Sequence, residues 1–260
     1  MLRWCSYCQR FQGEVAPYND LRITHGLCVT CMPSVMTFSD ADLAHTRTLQ
    51  SLYHELMKAG RISDLTAAER ILSEAESTGC QAVDVLIAIV APMLYQIGEE
   101  WERGVLTVAE EHRFTAFCAK LCELVGRRVA TSTAAESGEA ERAKIMIMNA
   151  DGNHHTLGTR ILALWLVSHG QSAELVAPSC GLEEKVDLVR RLQPRWLMIS
   201  IALSEQRPNL VTLVDRIAAL PCADQVNILI GGCAVKLDLV APIPGAELIK
   251  DISVLRDRWR

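Results

Sequence analysis

Four of the ten cysteines stand as two tight pairs, Cys5-Ser-Tyr-Cys8 and Cys28-Val-Thr-Cys31, with nineteen residues between the pairs. Thiolates at this spacing suit a tetrahedral four-cysteine zinc site, which closes a loop and supplies folding energy to a segment too short for a core. Two redox-active dithiols are the other chemistry open to the same residues. His25 is an alternative ligand, although a turn residue is the plainer reading. A second cluster is the loop Asn149-Ala-Asp-Gly-Asn-His-His-Thr-Leu-Gly158, which presents the imidazoles of His154 and His155. Neutral imidazole nitrogen is a good metal donor, yet two solvated loop histidines would look the same. The third string is Trp101, nine residues, then Glu111-His112. Taken alone, Trp101 closes an apolar stripe and Glu111-His112 lie on a solvated helix face. The other six cysteines (Cys80, Cys118, Cys122, Cys180, Cys222 and Cys233) sit in apolar segments and read as small buried hydrophobes.

These residues need elements to hold them. Residues 1–36 carry the paired cysteines among the turn residues Gly13, Pro17-Tyr18-Asn19-Asp20 and Gly26. Helical patterns follow over about Ser39–Lys58, Asp64–Glu76, Gln81–Arg103 and Thr107–Ala130. The third carries the stripe Val83, Leu86, Val90, Leu94, Ile97, Trp101 at helical spacing. The fourth opens on a capping box, Thr107-Val-Ala-Glu110. Four amphipathic helices with short connections predict an antiparallel bundle over 37–130. A polar, unpatterned linker spans 131–143.

Beyond the linker the period changes. Short apolar runs at Lys144–Ala150, Ala173–Ala177, Trp196–Ile201 and Val226–Ile230 alternate with helical patterns at Leu157–His169, Glu183–Leu192 and Leu210–Leu220. Leu248–Lys250 is a weaker fifth strand and Ile252–Trp259 a closing helix. The expectation is α/β plus all-α: a four-helix bundle, then a flavodoxin-like doubly wound parallel sheet over 144–260, with a small N-terminal four-cysteine module. The histidine loop follows the first strand of that sheet, at the crevice where ligands bind. It lacks the dinucleotide glycine spacing and the Walker lysine, so nucleotides are disfavoured.

Asn153-His154-His155-Thr156-Leu157-Gly158 resembles the Asp/Glu-x-His-x-x-Gly motif of cobalamin-binding domains. In that family the histidine replaces the cofactor's own benzimidazole on cobalt, and the displaced tail slots along the sheet. The resemblance selects His155 as lower axial ligand, with His154, Thr156 and Gly158 beside it. The family's carboxylate two residues earlier is Asn153 here; an amide oxygen can still accept the ring hydrogen bond, and Asp151 is the alternative acceptor. Ser200-Ile-Ala-Leu203 and Gly231-Gly232 resemble the family's tail-binding stretches. Trp101 with Glu111-His112 resembles the signature of the cobalamin-dependent photoreceptors, the CarH-like and AerR-like regulators, in which these types cup the upper adenosyl group. Two departures stand out: no helix-turn-helix is present, and Glu102 occupies the place of a histidine that captures cobalt after photolysis. The cysteine segment resembles a small module attached to bacterial sensory proteins.

Composition sets the remaining bounds. Half the residues are hydrophobic, 22% are charged and 5% are aromatic, which is globular composition. A net charge of -5 provides no basic field for DNA phosphates, and the basic tail Arg256–Arg260 is short. The longest apolar run, Ala82–Ile97, is broken by Asp84, Pro92 and Gln96, and the N-terminus does not read as a signal peptide, so a cytoplasmic, non-membrane protein is expected. The resemblance implies a light-sensing transcriptional regulator or antirepressor, not an enzyme, in which photolysis of adenosylcobalamin changes a contact with a transcription factor or other signalling protein. Self-association is open, and direct DNA binding is not expected. The alternatives are a corrinoid methyl carrier of a methyltransferase system, against which the large upper cup argues, and a light-independent cobalamin sensor or store.

Overall fold

A computed structural model describes residues 1–5, 8, 10–26, 28–31, 40–133, 145–171 and 173–258; the side chains at 25, 40–50, 131–133 and 256–258 lie outside that description, as does most of the expected 131–143 linker. The chain divides into two compact units, Met1–Ser132 with Ser253–Arg260, and Thr133–Ile252. Thus the cysteine segment and the helices form one unit, and the last residues join it instead of the α/β unit.

The cysteine segment contains a sheet that turn residues alone did not reveal. Strands β1 (Leu2–Cys5), β2 (Phe11–Glu14) and β3 (Ile23–Gly26) have the order β2-β1-β3. β1 pairs antiparallel with β2 and parallel with β3, and Cys5 lies opposite Gly26 in the parallel ladder. That register carries both cysteine pairs to the same end of the sheet. Trp4 and Phe11 are fully buried, their rings 5.8 Å apart.

The helical stretches are α1 (Asp40–Arg61), α2 (Leu65–Ser77), α3 (Ala82–Val85), α4 (Ala91–Glu102) and α5 (Val108–Thr133). Asp64 caps α2 by accepting the Ala67 N–H at 2.9 Å. Glu110 accepts the Thr107 N–H at 2.8 Å while the Thr107 hydroxyl accepts the Glu110 N–H at 3.3 Å, a reciprocal capping box. α3 and α4 are joined without a break by a π-helical turn, Leu86–Val90. Pro92, in the first turn of α4, has no N–H for the Ala88 carbonyl and its ring crowds that oxygen; a wider turn relieves both. The result is one 21-residue helix, Ala82–Glu102, long and apolar enough by length and composition to cross a bilayer. Two thirds of its most apolar window is buried inside the protein, as in a core helix. Between helices, Arg61 pairs with Glu100 at 2.7 Å and Arg128 with Glu76 at 2.5 Å. A Cβ on Gly60 would stand 2.5 Å from the Phe114 ring, so α1 and α5 meet closely there.

The second unit alternates β4 (Ile145–Asn149), α6 (Leu157–Ser168), β5 (Ala173–Leu175), α7 (Leu182–Leu192), β6 (Trp196–Ser200), α8 (Arg207–Ala218), β7 (Asn227–Gly231), α9 (Cys233–Lys236) and β8 (Ala246–Leu248). Strand order β5-β4-β6-β7-β8 is parallel throughout, the flavodoxin-like arrangement. Its three central strands are apolar on both faces, β4 buried at every position, because helices cover both sides. The last strand lies two residues earlier than the run Leu248–Lys250 suggested, and the closing segment Ile252–Arg258 is a 3-10 helix. The chain reverses direction across the sheet between β4 and β6, which places the loops after these strands at the switch point.

Candidate corrinoid site

The loop after β4 is held by buried polar groups. Among the described residues six polar or charged side chains are buried, and five of them bond to residues 149–156. Asn149, at the end of β4, donates to the Asn153 carbonyl at 2.9 Å and the His155 carbonyl at 3.4 Å. Asn153 accepts the His155 N–H on its side-chain oxygen at 3.0 Å and donates to the Ser200 carbonyl at 2.9 Å. Gln206 accepts the Ala202 and Leu203 N–H groups and donates to the Gly152 carbonyl at 3.0 Å, tying the β6 loop to the β4 loop. Thr159 donates to the Thr156 carbonyl at 2.9 Å. Lys185 of α7, 1% exposed, donates to the Asn149 carbonyl at 2.9 Å and pairs with Asp151.

Buried polar groups cost free energy unless satisfied, so such a concentration fixes loop shape at the expense of a plainer core. The outcome is a rigid loop that leaves the His154 and His155 side chains exposed. Among the described residues the His155 ring has no hydrogen-bond partner. Asp151, expected as an alternative acceptor for that ring, is engaged by Lys185, and the Asn153 oxygen is engaged by the His155 main chain. Gly158, at the start of α6, has open space where a Cβ would stand. Gly232 is the opposite: φ is +114° and a Cβ would lie 2.4 Å from the Ile201 carbonyl oxygen, so only glycine fits the crossing of these two loops. Leu203 is 52% exposed beside them.

Lys185, Gln206 and Asn149 were missed from sequence. The signal for Lys185 was present: it lies between Leu182 and Val189 on the inward stripe of α7, where a lysine breaks the apolar pattern.

In the helical unit, the apolar stripe is buried at Val83, Leu86, Val90 and Ile97, but Trp101 emerges 46% exposed instead of anchoring a core. Val105 and Val108 are exposed as well, so three large apolar side chains face solvent within eight residues. Glu111 accepts the Thr115 hydroxyl at 2.7 Å, and its carboxylate lies 3.5 Å from the exposed His112 ring. Glu102 is exposed.

The four paired cysteines converge: their sulfur atoms all lie within 4.8 Å of one another. Burial pushes the Cys31 thiol up to about 12. At Cys28 burial also opposes ionisation, but hydrogen bonds with Cys31, Cys5 and Cys8 bring it down to about 7. His25, the alternative ligand, has its side chain outside the described set. Cys80, Cys118, Cys122 and Cys222 are buried; Cys180 and Cys233 are partly exposed.

Residues 52–125 match the family model for the B12 binding domain. Cobalamin binding is supported. The match falls on the helices, from α1 to α5, and no curated protein matches the chain. Among solved structures, the Methanosarcina barkeri monomethylamine corrinoid protein is similar with a TM-score of 0.66 at 15% identity, over 80% of this chain and 96% of that one. The two chains share a fold. A cobalamin-binding protein from Desulfitobacterium hafniense DCB-2 aligns with a TM-score of 0.43 at 16% identity, over 80% of this chain and 98% of that one. The Methanosarcina barkeri methanol:cobalamin methyltransferase complex MtaBC aligns at 0.39 and 13%, over 89% and 91%.

Proposed function

We propose that this chain binds cobalamin with His155 as the lower cobalt ligand, and that it carries a methyl group on that corrinoid within a methyltransferase system. The observation that carries the binding is the exposed His155 on a loop pinned by five buried polar side chains, in a chain whose helices match the B12 binding domain. The residues fit the group: an imidazole faces solvent, Gly158 leaves open space at the start of α6, and Leu203 offers apolar surface past β6. Bound cobalamin supplies a cobalt that accepts and releases an upper alkyl ligand. The protein's contribution is to position the loop that carries the imidazole, with Asn153 setting the His155 main chain and Lys185 engaging Asp151. The carrier reading is supported by the shared fold with the monomethylamine corrinoid protein, and on it the chain holds a group while a partner methyltransferase catalyses.

A second reading, the adenosylcobalamin light sensor acting on a transcription factor, is favoured by the exposed Trp101 with Glu111 and His112. These are the residues it assigns to the upper adenosyl group.

One experiment separates the two. The protein is purified in darkness and the upper ligand of its extracted corrinoid is identified by mass spectrometry. Methylcobalamin, with a green-light response unchanged in Trp101→Ala, supports the carrier. Adenosylcobalamin, with a photoresponse altered in Trp101→Ala, supports the sensor. Absence of any corrinoid, together with failure to bind added hydroxocobalamin, overturns both.

A further inference from the structure

The cysteine cluster belongs to the helical unit, not to the unit of the histidine loop, and its packing says more than its spacing. Tetrahedral tetrathiolate zinc, with Zn–S near ~2.3 Å, places its sulfurs about 3.8 Å apart. Here the Cys8 and Cys28 sulfurs are 3.9 Å apart and all four lie within 4.8 Å. The Cys28 N–H points at the Cys5 sulfur at 3.5 Å, so the main chain of the second pair closes on the first. Cys5 and Cys31 are buried and Cys8 and Cys28 are half-buried, so four protein ligands are present with none replaced by a water position. That is the donor set of a structural centre, not a catalytic one.

The centre sits against the helices. Phe11, which opens β2, donates its N–H to the Asp84 carboxylate at 3.1 Å, and Asp84 on α3 is 1% exposed. A carboxylate so buried is stable only while its donors stay in place. Gly79, at φ +94° in the turn from α2 to α3, would bring a Cβ to 3.7 Å from the Cys8 carbonyl. The Cys5–Cys8 pair therefore packs on the corner where α2 turns into α3. Three strands of four residues each cannot hold this arrangement by their own core, because an isolated sheet of that size is marginal.

We propose that Cys5, Cys8, Cys28 and Cys31 bind one zinc ion, and that the metal-closed module is a brace which holds the Asp84 end of the Ala82–Glu102 helix in place. On binding, thiol protons are released to solvent and four Zn–S bonds form; no electron is transferred. The proposal is independent of the corrinoid assignment.

The test uses the full-length chain, expressed and purified without chelator. Elemental analysis should give about one zinc per chain, from the four-thiolate stoichiometry. Adding cobalt(II) to zinc-stripped, corrinoid-free protein should produce a tetrahedral tetrathiolate ligand-field spectrum, which Cys28→Ser loses. Stripping zinc with a thiol-reactive mercurial and chelator should raise amide exchange across residues 80–90 by about tenfold or more, with β4 and β6 unchanged. Asp84→Asn should keep the metal and the cobalt spectrum but raise exchange over the same segment. Because Asp84→Asn retains the ligands, misfolding of a cysteine variant does not decide the matter. The proposal is overturned by absence of zinc with disulfides in the resting protein, or by zinc removal that leaves exchange at residues 80–90 unaltered.

Discussion

Lys185 and Asp151 form an unequal pair. The lysine side chain is 1% exposed, whereas the aspartate side chain is 28% exposed and keeps some water. Removing the aspartate strands a buried ammonium, and removing the lysine leaves a carboxylate that can rehydrate. Asp151→Ala should therefore cost about 3 kcal/mol. Lys185→Met should cost less, about 1–2 kcal/mol, arising mainly from the Asn149 carbonyl left without its donor. Urea denaturation of the two variants checks the order, and Asp151→Ala as the milder change would show that the pair is not the anchor of the loop. Gly158 separates binding from folding. With nothing within 4 Å of its Cβ position and a place in the first turn of α6, Gly158→Ala should leave stability unchanged or raise it by up to about 1 kcal/mol. If the corrin approaches there, the same change should weaken hydroxocobalamin binding by about tenfold, a loss of about 1.4 kcal/mol. Unchanged affinity would remove Gly158 from the site.

At the scale of elements, the crossing of the β6 and β7 loops is the tightest constraint in the α/β unit. Gly232→Ala combines a left-handed φ with a 2.4 Å clash against backbone, which cannot swing away as a side chain could. It should destabilise this unit by about 2–3 kcal/mol, seen as a lower denaturation midpoint. The elements differ in how far sequence revealed them. The strands of the second unit were legible because a parallel sheet covered on both faces writes itself as bare apolar runs, such as Ile145-Met-Ile-Met. The capping boundaries at Asp64 and Thr107 were legible because they depend on neighbouring residues alone. The strands among the cysteines were not: four-residue strands with one fully buried face carry too short an alternation, and their pairing depends on contacts with α3. The π turn was hidden for a similar reason, since Pro92 signals a disturbance without saying whether the helix breaks or widens. At the candidate site, the position of the histidine loop after β4 was legible, but Lys185 and Gln206, which help to hold it, come from α7 and the 3-10 turn Ser204–Gln206, far along the chain.

For the whole molecule, the two proposals put two metals in two units: cobalt on the histidine loop of one and zinc on the cysteines of the other. Their losses should be separable. His155→Ala should abolish the histidine-ligated spectrum of bound cobalamin while leaving zinc content and far-ultraviolet circular dichroism unchanged, since an exposed loop side chain carries little core. Acidification should release the zinc, because protons compete with the metal for thiolate sulfur.

The central claim is that His155 nitrogen binds cobalt. It is tested most directly by electron paramagnetic resonance of cob(II)alamin bound to protein labelled with nitrogen-15 in its histidines. Histidine ligation predicts that each cobalt line is split into two by a single nitrogen-15 nucleus, and that this splitting is lost in His155→Ala and kept in His154→Ala. A three-line splitting from unlabelled nitrogen would mean that the cofactor's own benzimidazole remains on cobalt, and would contradict the claim.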